Sequence, residues 1–151
     1  MGLNHEKSVP VYDLSKLKVL ILAQPKLGKT TFASTMEDAY FICTERGHNA
    51  LSINKTDVFS WRDLRNVIGS IIKDTEGFKT FVIDTADRAY DMCCEDVIQG
   101  YNNPIAHDGS QMEKPKKLIK SISQMPWGQA AQAKDQFFAM LRSLERVDAG
   151  I

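Results

Sequence analysis

A chain of 151 residues, 43% of them hydrophobic, can bury one core and falls in the size range of a single domain. Nineteen Lys plus Arg balance nineteen Asp plus Glu, so the total charge gives no sign of a long basic surface for nonspecific duplex binding. The three cysteines, Cys43 and the adjacent pair Cys93 and Cys94, include no C-x-x-C pair. This argues against a disulfide framework or a zinc site and fits reduced thiols in a cytosolic compartment.

Residues 1–15 read as an N-terminal extension. They hold no apolar stretch of the signal-peptide kind, and Glu6 stands where a myristoylation signal requires Ser or Thr. No later segment approaches 18 apolar residues. The expectation is a soluble chain without a membrane partner.

The first predicted strand is the apolar run Leu17 to Ala23, followed at once by Ala23-Gln24-Pro25-Lys26-Leu27-Gly28-Lys29-Thr30-Thr31. A phosphate loop needs inward-facing backbone N–H groups, a lysine for the β and γ phosphates, and a hydroxyl for magnesium at the start of the next helix. Gly28, Lys29 and Thr30 stand in that order. The pattern G-x-x-x-x-G-K-[ST] opens here on Ala23, at a strand end where a methyl group can be accommodated. The nine residues from Ala23 to Thr31 are the candidate nucleotide contacts, and Thr30 is also a candidate magnesium ligand.

A helix is expected from Lys29 to about Glu37, then a strand from Ala39 to Thr44. Glu45, in the turn Thr44-Glu45-Arg46-Gly47, could activate water against a γ-phosphate or be a solvated loop carboxylate. Trp61, Leu64, Val67, Ile68, Ile71 and Ile72 follow helical spacing behind a Ser60-x-x-Asp63 capping box. The strand Lys79 to Thr85 carries Asp84, placed where such folds hold magnesium through water. These near-continuous apolar runs in the order β-α-β-α-β predict an α/β fold with a parallel sheet covered on both faces.

Further helices are predicted over about 87–99, with Tyr90, Cys93, Cys94, Val97 and Ile98, and over about 134–146. Residues 101–128 contain three prolines and read as a long mobile loop. Its lysines Lys114, Lys116, Lys117 and Lys120 could follow a single-strand phosphate backbone, but a solvated face explains them better. Tyr101 and Trp127 could stack on bases or anchor the core. Cys93, Cys94 and His107 lack a fourth metal ligand and a workable spacing. Phe137, Phe138, Leu141 and Leu144 form a stripe best explained by core packing, with self-association if part of it stays exposed.

The segments LKVLILAQPKLGKTTFAS, AYFICTERGHNAL, KTFVIDTADRAYDMCC and WGQAAQAKDQFFAMLRSL resemble the RecA-like phage nucleotide-binding proteins, P-loop ATP-binding domains of phages and prophages. The resemblance implies a RecA-like three-layer αβα fold with a parallel sheet, ATP and magnesium ions as cofactors, and the cytoplasm of a bacterial host. It also implies a role with single-stranded DNA in recombination or annealing. RecA-like domains carry a catalytic glutamate in an acidic turn before an Ala-Leu pair; Ala50-Leu51 follow here, so the match assigns Glu45 that role beside Lys29. Arg46-Gly47 stand where the family has a second glycine. The same resemblance places a further strand between the phosphate-loop strand and the aspartate strand, beginning near Ala149-Gly150-Ile151. The sheet is therefore expected to be truncated at its C-terminal end. The strands at 17–23 and 79–85 must then pair directly, leave a gap, or accept a strand from another chain, which makes a homo-oligomer or a strand-donating partner an expectation.

The leading expectation is thus a magnesium-dependent ATPase. A nucleotide-binding or interaction module without ATPase activity is the alternative. A small-molecule kinase ranks last, because the six arginines are scattered instead of gathered in a lid.

Overall fold

The computed structural model describes residues 18–47, 51–105, 108–126 and 128–147. Its elements in chain order are α1 (Lys29–Ala33), β1 (Ala39–Cys43), β2 (Asn54–Asp57), α2 (Trp61–Lys73), β3 (Thr80–Asp84), α3 (Ala86–Asn102) and α4 (Ala131–Ser143), with short 3₁₀ turns at Ile122–Gln124 and Leu144–Arg146.

The three strands form a parallel sheet in the order β2-β1-β3. In its register Ile42 lies opposite Ile83 and Cys43 opposite Asp84, so the ends of β1 and β3 are level. Alternation along the strands sends side chains to two faces. Ile42 and Phe81 join Leu64, Ile68, Ala89, Met92, Cys93, Val97, Met140 and Leu144 in a large cluster built with α2, α3 and α4. Phe41 and Cys43 turn the other way, toward Ala33 of α1, with Ala39, Ile53 and Val82 alongside. Helical residues thus pack against both faces of the parallel sheet, far more of them on one face than on the other.

The helix α2 forms where the spacing predicts it. Ser60 Oγ accepts from the Asp63 N–H at 3.1 Å, and Trp61, Leu64, Ile68 and Ile71 are buried. The Trp61 indole N–H is buried without a partner among the described residues, at an unmet cost of roughly 1–3 kcal/mol. In α4 the inward residues are Ala133 and Met140, with Phe137 and Leu141 partly buried and Leu144 enclosed just beyond. Phe138 points outward beneath Lys134, so the apolar stripe is rotated from the one expected.

Four expectations change. The run Leu17 to Ala23 is not a strand over its described part: residues 18–24 make no ladder, and Val19, Leu20 and Leu22 are 59%, 72% and 84% exposed. A strand is defined by its neighbour, and β3 pairs only with β1 among the described residues. The expected intervening strand near 149–151 lies outside those residues.

Second, α1 stops at Ala33, not near Glu37. Ser34 and Thr35 hydroxyls donate to the carbonyls three residues back, and Asp38 takes a left-handed φ of 44° that turns the chain into β1. Third, β2 is an unforeseen edge strand. Fourth, residues 101–126 are tied down in part. Asn102 donates to the Ile119 carbonyl at 2.8 Å and accepts from its N–H at 3.0 Å, while Ile119 and Met125 enter the core. Tyr101 also packs against that core. His107 and Trp127 lie outside the described residues.

Candidate functional site

The site is assembled where the N-terminus of α1 meets the carboxyl ends of β1 and β3. Gly28 adopts a left-handed φ of 78° at the N-cap of α1, and its carbonyl accepts from the Phe32 N–H at 2.8 Å. That backbone region disfavours residues with a Cβ by roughly 1–2 kcal/mol. A Cβ built on Gly28 would meet nothing within 4 Å, so the glycine is needed here for its conformation and leaves open space beside the turn.

Lys29 extends back across this turn and donates to the carbonyls of Ala23 at 2.9 Å and Gln24 at 3.1 Å. These two residues therefore act through main-chain oxygens, and the Ala23 methyl plays no part in the contact. Pro25, Lys26 and Leu27 form the exposed turn between them. Thr31 is exposed too, and its carbonyl accepts from Ser34.

One residue along, the Thr30 hydroxyl donates to Asp84 Oδ2 at 2.6 Å. Asp84 is only 9% exposed. The expected pair of magnesium-binding oxygens is thus brought together from residues 54 positions apart in the chain. Among the described residues no group of three or more His, Cys, Asp or Glu could hold a metal ion on its own. The donor set here is instead one hydroxyl and one carboxylate, which suits a hard cation that keeps waters and shares phosphate oxygens.

Glu45 is held close by through a second set of contacts that residue types alone do not reveal. The Thr44 N–H donates to the Asp84 carbonyl at 2.8 Å. The Thr44 hydroxyl accepts from the Thr85 N–H at 2.8 Å and donates to the Thr85 carbonyl at 3.0 Å. The Thr85 hydroxyl donates to Glu45 Oε1 at 3.1 Å. Two strand ends are clasped by one threonine, and the other threonine holds the glutamate. The hint in the sequence was the pairing of Thr44 with Glu45 and of Asp84 with Thr85, a hydroxyl beside an acid at both strand ends.

Asp87, in the first turn of α3, is the other acid that sequence reasoning passed over. The Thr85 hydroxyl beside it holds its carboxyl below the usual range, with the Arg88 N–H and the Lys29 charge acting in the same direction. Arg46 lies over the exposed Phe59 ring at 5.9 Å, and Arg88 is paired with Glu95 at 2.9 Å.

The cysteines take no part in this site. Burial pushes the Cys43 and Cys93 thiols up to about 11, and Cys93 Sγ lies 3.3 Å from the Ala133 carbonyl. The lysines of residues 114–120 are exposed, without ion pairs among the described residues.

A family model described as an AAA domain matches residues 15–148, nearly the whole chain. The chain belongs to this AAA-domain family of P-loop ATPases. No curated protein and no solved structure matches the chain. The AAA domain spans the glycine turn, both strand ends and all four helices, so the residues converging at the site belong to one matched unit. No described helix of this AAA domain is long and apolar enough to cross a membrane.

Proposed function

We propose that this AAA domain binds magnesium-ATP in the open space at Gly28 and hydrolyses it. The observation that carries the reading is the 2.6 Å contact between Thr30 and Asp84, at the first turn of the helix that follows the glycine turn. Thr30 and Asp84 are the residues that would hold magnesium. When bound, that ion supplies charge neutralisation on the phosphate oxygens.

The residues of the chain divide the remaining work. Lys29, released from the Ala23 and Gln24 carbonyls, pairs with the β and γ phosphates. Main-chain N–H groups at the start of α1 face the anion, and the left-handed Gly28 keeps that approach clear. Glu45 takes the proton of the attacking water as its oxygen bonds to the γ-phosphorus. The bond from that phosphorus to the β–γ bridging oxygen breaks, giving ADP and phosphate.

The finer assignment, a phage or prophage ATPase working with single-stranded DNA in recombination or annealing, rests on the sequence resemblance. The exposed lysines 114, 116, 117 and 120 offer a surface for such a strand. A second reading, nucleotide binding without turnover, is favoured by one observation: residues 18–24, which lead into the loop, make no ladder with the sheet.

The test is phosphate release from magnesium-ATP by the wild type and Lys29→Ala, with and without single-stranded DNA. Release that depends on Lys29 and rises with DNA supports the full reading. Binding without release favours the second, and release indifferent to Lys29 contradicts both.

A further inference from the structure

We infer that Thr85 is a positioning residue for hydrolysis, holding Glu45 against the site through its side-chain hydroxyl; this deepens the proposed ATPase reading and rests on it.

Thr85 occupies the N-cap position of α3, with φ −119° and ψ 157°. A threonine there ordinarily turns its oxygen onto the N–H groups of the helix's first turn, a contact worth about 1 kcal/mol. Thr85 makes no such cap. Its hydroxyl reaches across to the end of the neighbouring strand and donates to Glu45 Oε1. The acid in the first turn of α3 is Asp87.

The rest of Thr85 is fixed on both sides. Its N–H and its carbonyl are both bonded to the Thr44 hydroxyl, and Thr44 is 6% exposed. A buried clasp therefore sets the Thr85 main chain, and its hydroxyl lies between two carboxylates, donating to Glu45 Oε1 with Asp87 alongside. Glu45 is itself exposed and would otherwise sample several rotamers, at an ordering cost of roughly 1–2 kcal/mol. One donor from a rigid neighbour selects among those rotamers and leaves the second carboxylate oxygen to accept the proton of water.

The same hydroxyl lies beside Asp87, whose carboxyl also feels the Lys29 charge. The contribution assigned to Thr85 is to the geometry of Glu45.

The experiment compares wild type with Thr85→Val, Thr85→Ser, Glu45→Gln and Lys29→Ala, measuring ATP affinity by displacement of a fluorescent ATP analogue and kcat by phosphate release. Valine keeps the β-branch and the main-chain clasp while deleting the hydroxyl. The expected result is a kcat lowered about tenfold or more in Thr85→Val, with ATP affinity within about twofold of wild type. Serine restores most of the rate. In the Glu45→Gln background, Thr85→Val causes no further loss, because its effect runs through Glu45. An unchanged kcat in Thr85→Val, or a fall in ATP affinity matching the fall in kcat, overturns the assignment while leaving the ATPase reading intact. Absence of turnover in the wild type overturns the ATPase reading and the assignment with it, and is distinguished because Glu45→Gln and Lys29→Ala then look like wild type.

Discussion

The two faces of the sheet are built to different standards. On one, α2, α3 and α4 enclose a cluster in which Leu64, Ala89, Cys93 and Ala133 are fully buried. On the other, a five-residue α1 covers Phe41 and Cys43, while Phe32, Leu20 and Leu22 stay exposed. The phosphate-loop contacts of the candidate site lie at the rim of the thinner face: Ala33 of α1 packs beside Phe41, Thr30 reaches Asp84, and Lys29 returns to Ala23 and Gln24. The thick face holds most of the buried core and the thin face holds the candidate phosphate loop, in keeping with binding elements being drawn from the less stable part of a fold.

The largest expected effect sharpens this contrast. Leu64→Ala should destabilise the domain by about 3 kcal/mol in urea unfolding, because it empties a fully enclosed position. Leu20→Ala, at a residue 72% exposed, should change stability by less than about 0.5 kcal/mol. Similar losses at both positions would show that residues 18–24 are packed in solution.

Next in size is the difference between two thiols. Cys43 and Cys93 are equally buried and both pushed up to about 11, so neither should react readily at neutral pH. Cys43 lies on the thin face and should be labelled by a thiol reagent about tenfold faster than Cys93, through local opening. Equal rates would break the comparison.

A smaller effect belongs to Ser60→Ala. Loss of the cap on the Asp63 N–H should cost about 1 kcal/mol, with nucleotide affinity unchanged, since α2 is on the thick face.

The smallest is electrostatic. The Asp87 carboxyl is depressed, so its contribution is present above the unfolded value near pH 4 and is lost as pH falls through the folded one. Asp87→Asn should therefore lower stability slightly at pH 7 and converge with wild type in acid below that window. The effect is small because the group is exposed and screened.

The thick face was readable because its signals are local. The Ser60 cap and the apolar spacing of α2 appear in one window of sequence, and the buried residues Trp61, Leu64, Ile68 and Ile71 follow. The strands β1 and β3 were readable for the same reason. By contrast, β2 is the polar stretch Asn-Lys-Thr-Asp, made a strand only by ladder bonds to β1. The run Leu17 to Ala23 has the composition of a strand, but strandhood depends on a partner that composition does not specify.

The site divides in the same way. Gly28, Lys29, Thr30 and Asp84 were legible from motif and strand order, and the structure brings them together. Thr44 and Thr85 were not, because their roles arise from the register that sets Cys43 opposite Asp84 and so places two strand ends level. Residue type alone left Glu45 open between base and solvated carboxylate, and the Thr85 contact is the observation that favours the base.

The most direct test of the account is a calorimetric titration of ATP, with and without magnesium, into wild type, Lys29→Ala and Asp84→Ala. The account predicts that wild type binds more tightly with magnesium than without. Lys29→Ala should lose affinity by about tenfold or more, and Asp84→Ala should lose the magnesium-dependent gain. Wild-type affinity in Lys29→Ala, or a magnesium-dependent gain undiminished in Asp84→Ala, would contradict it.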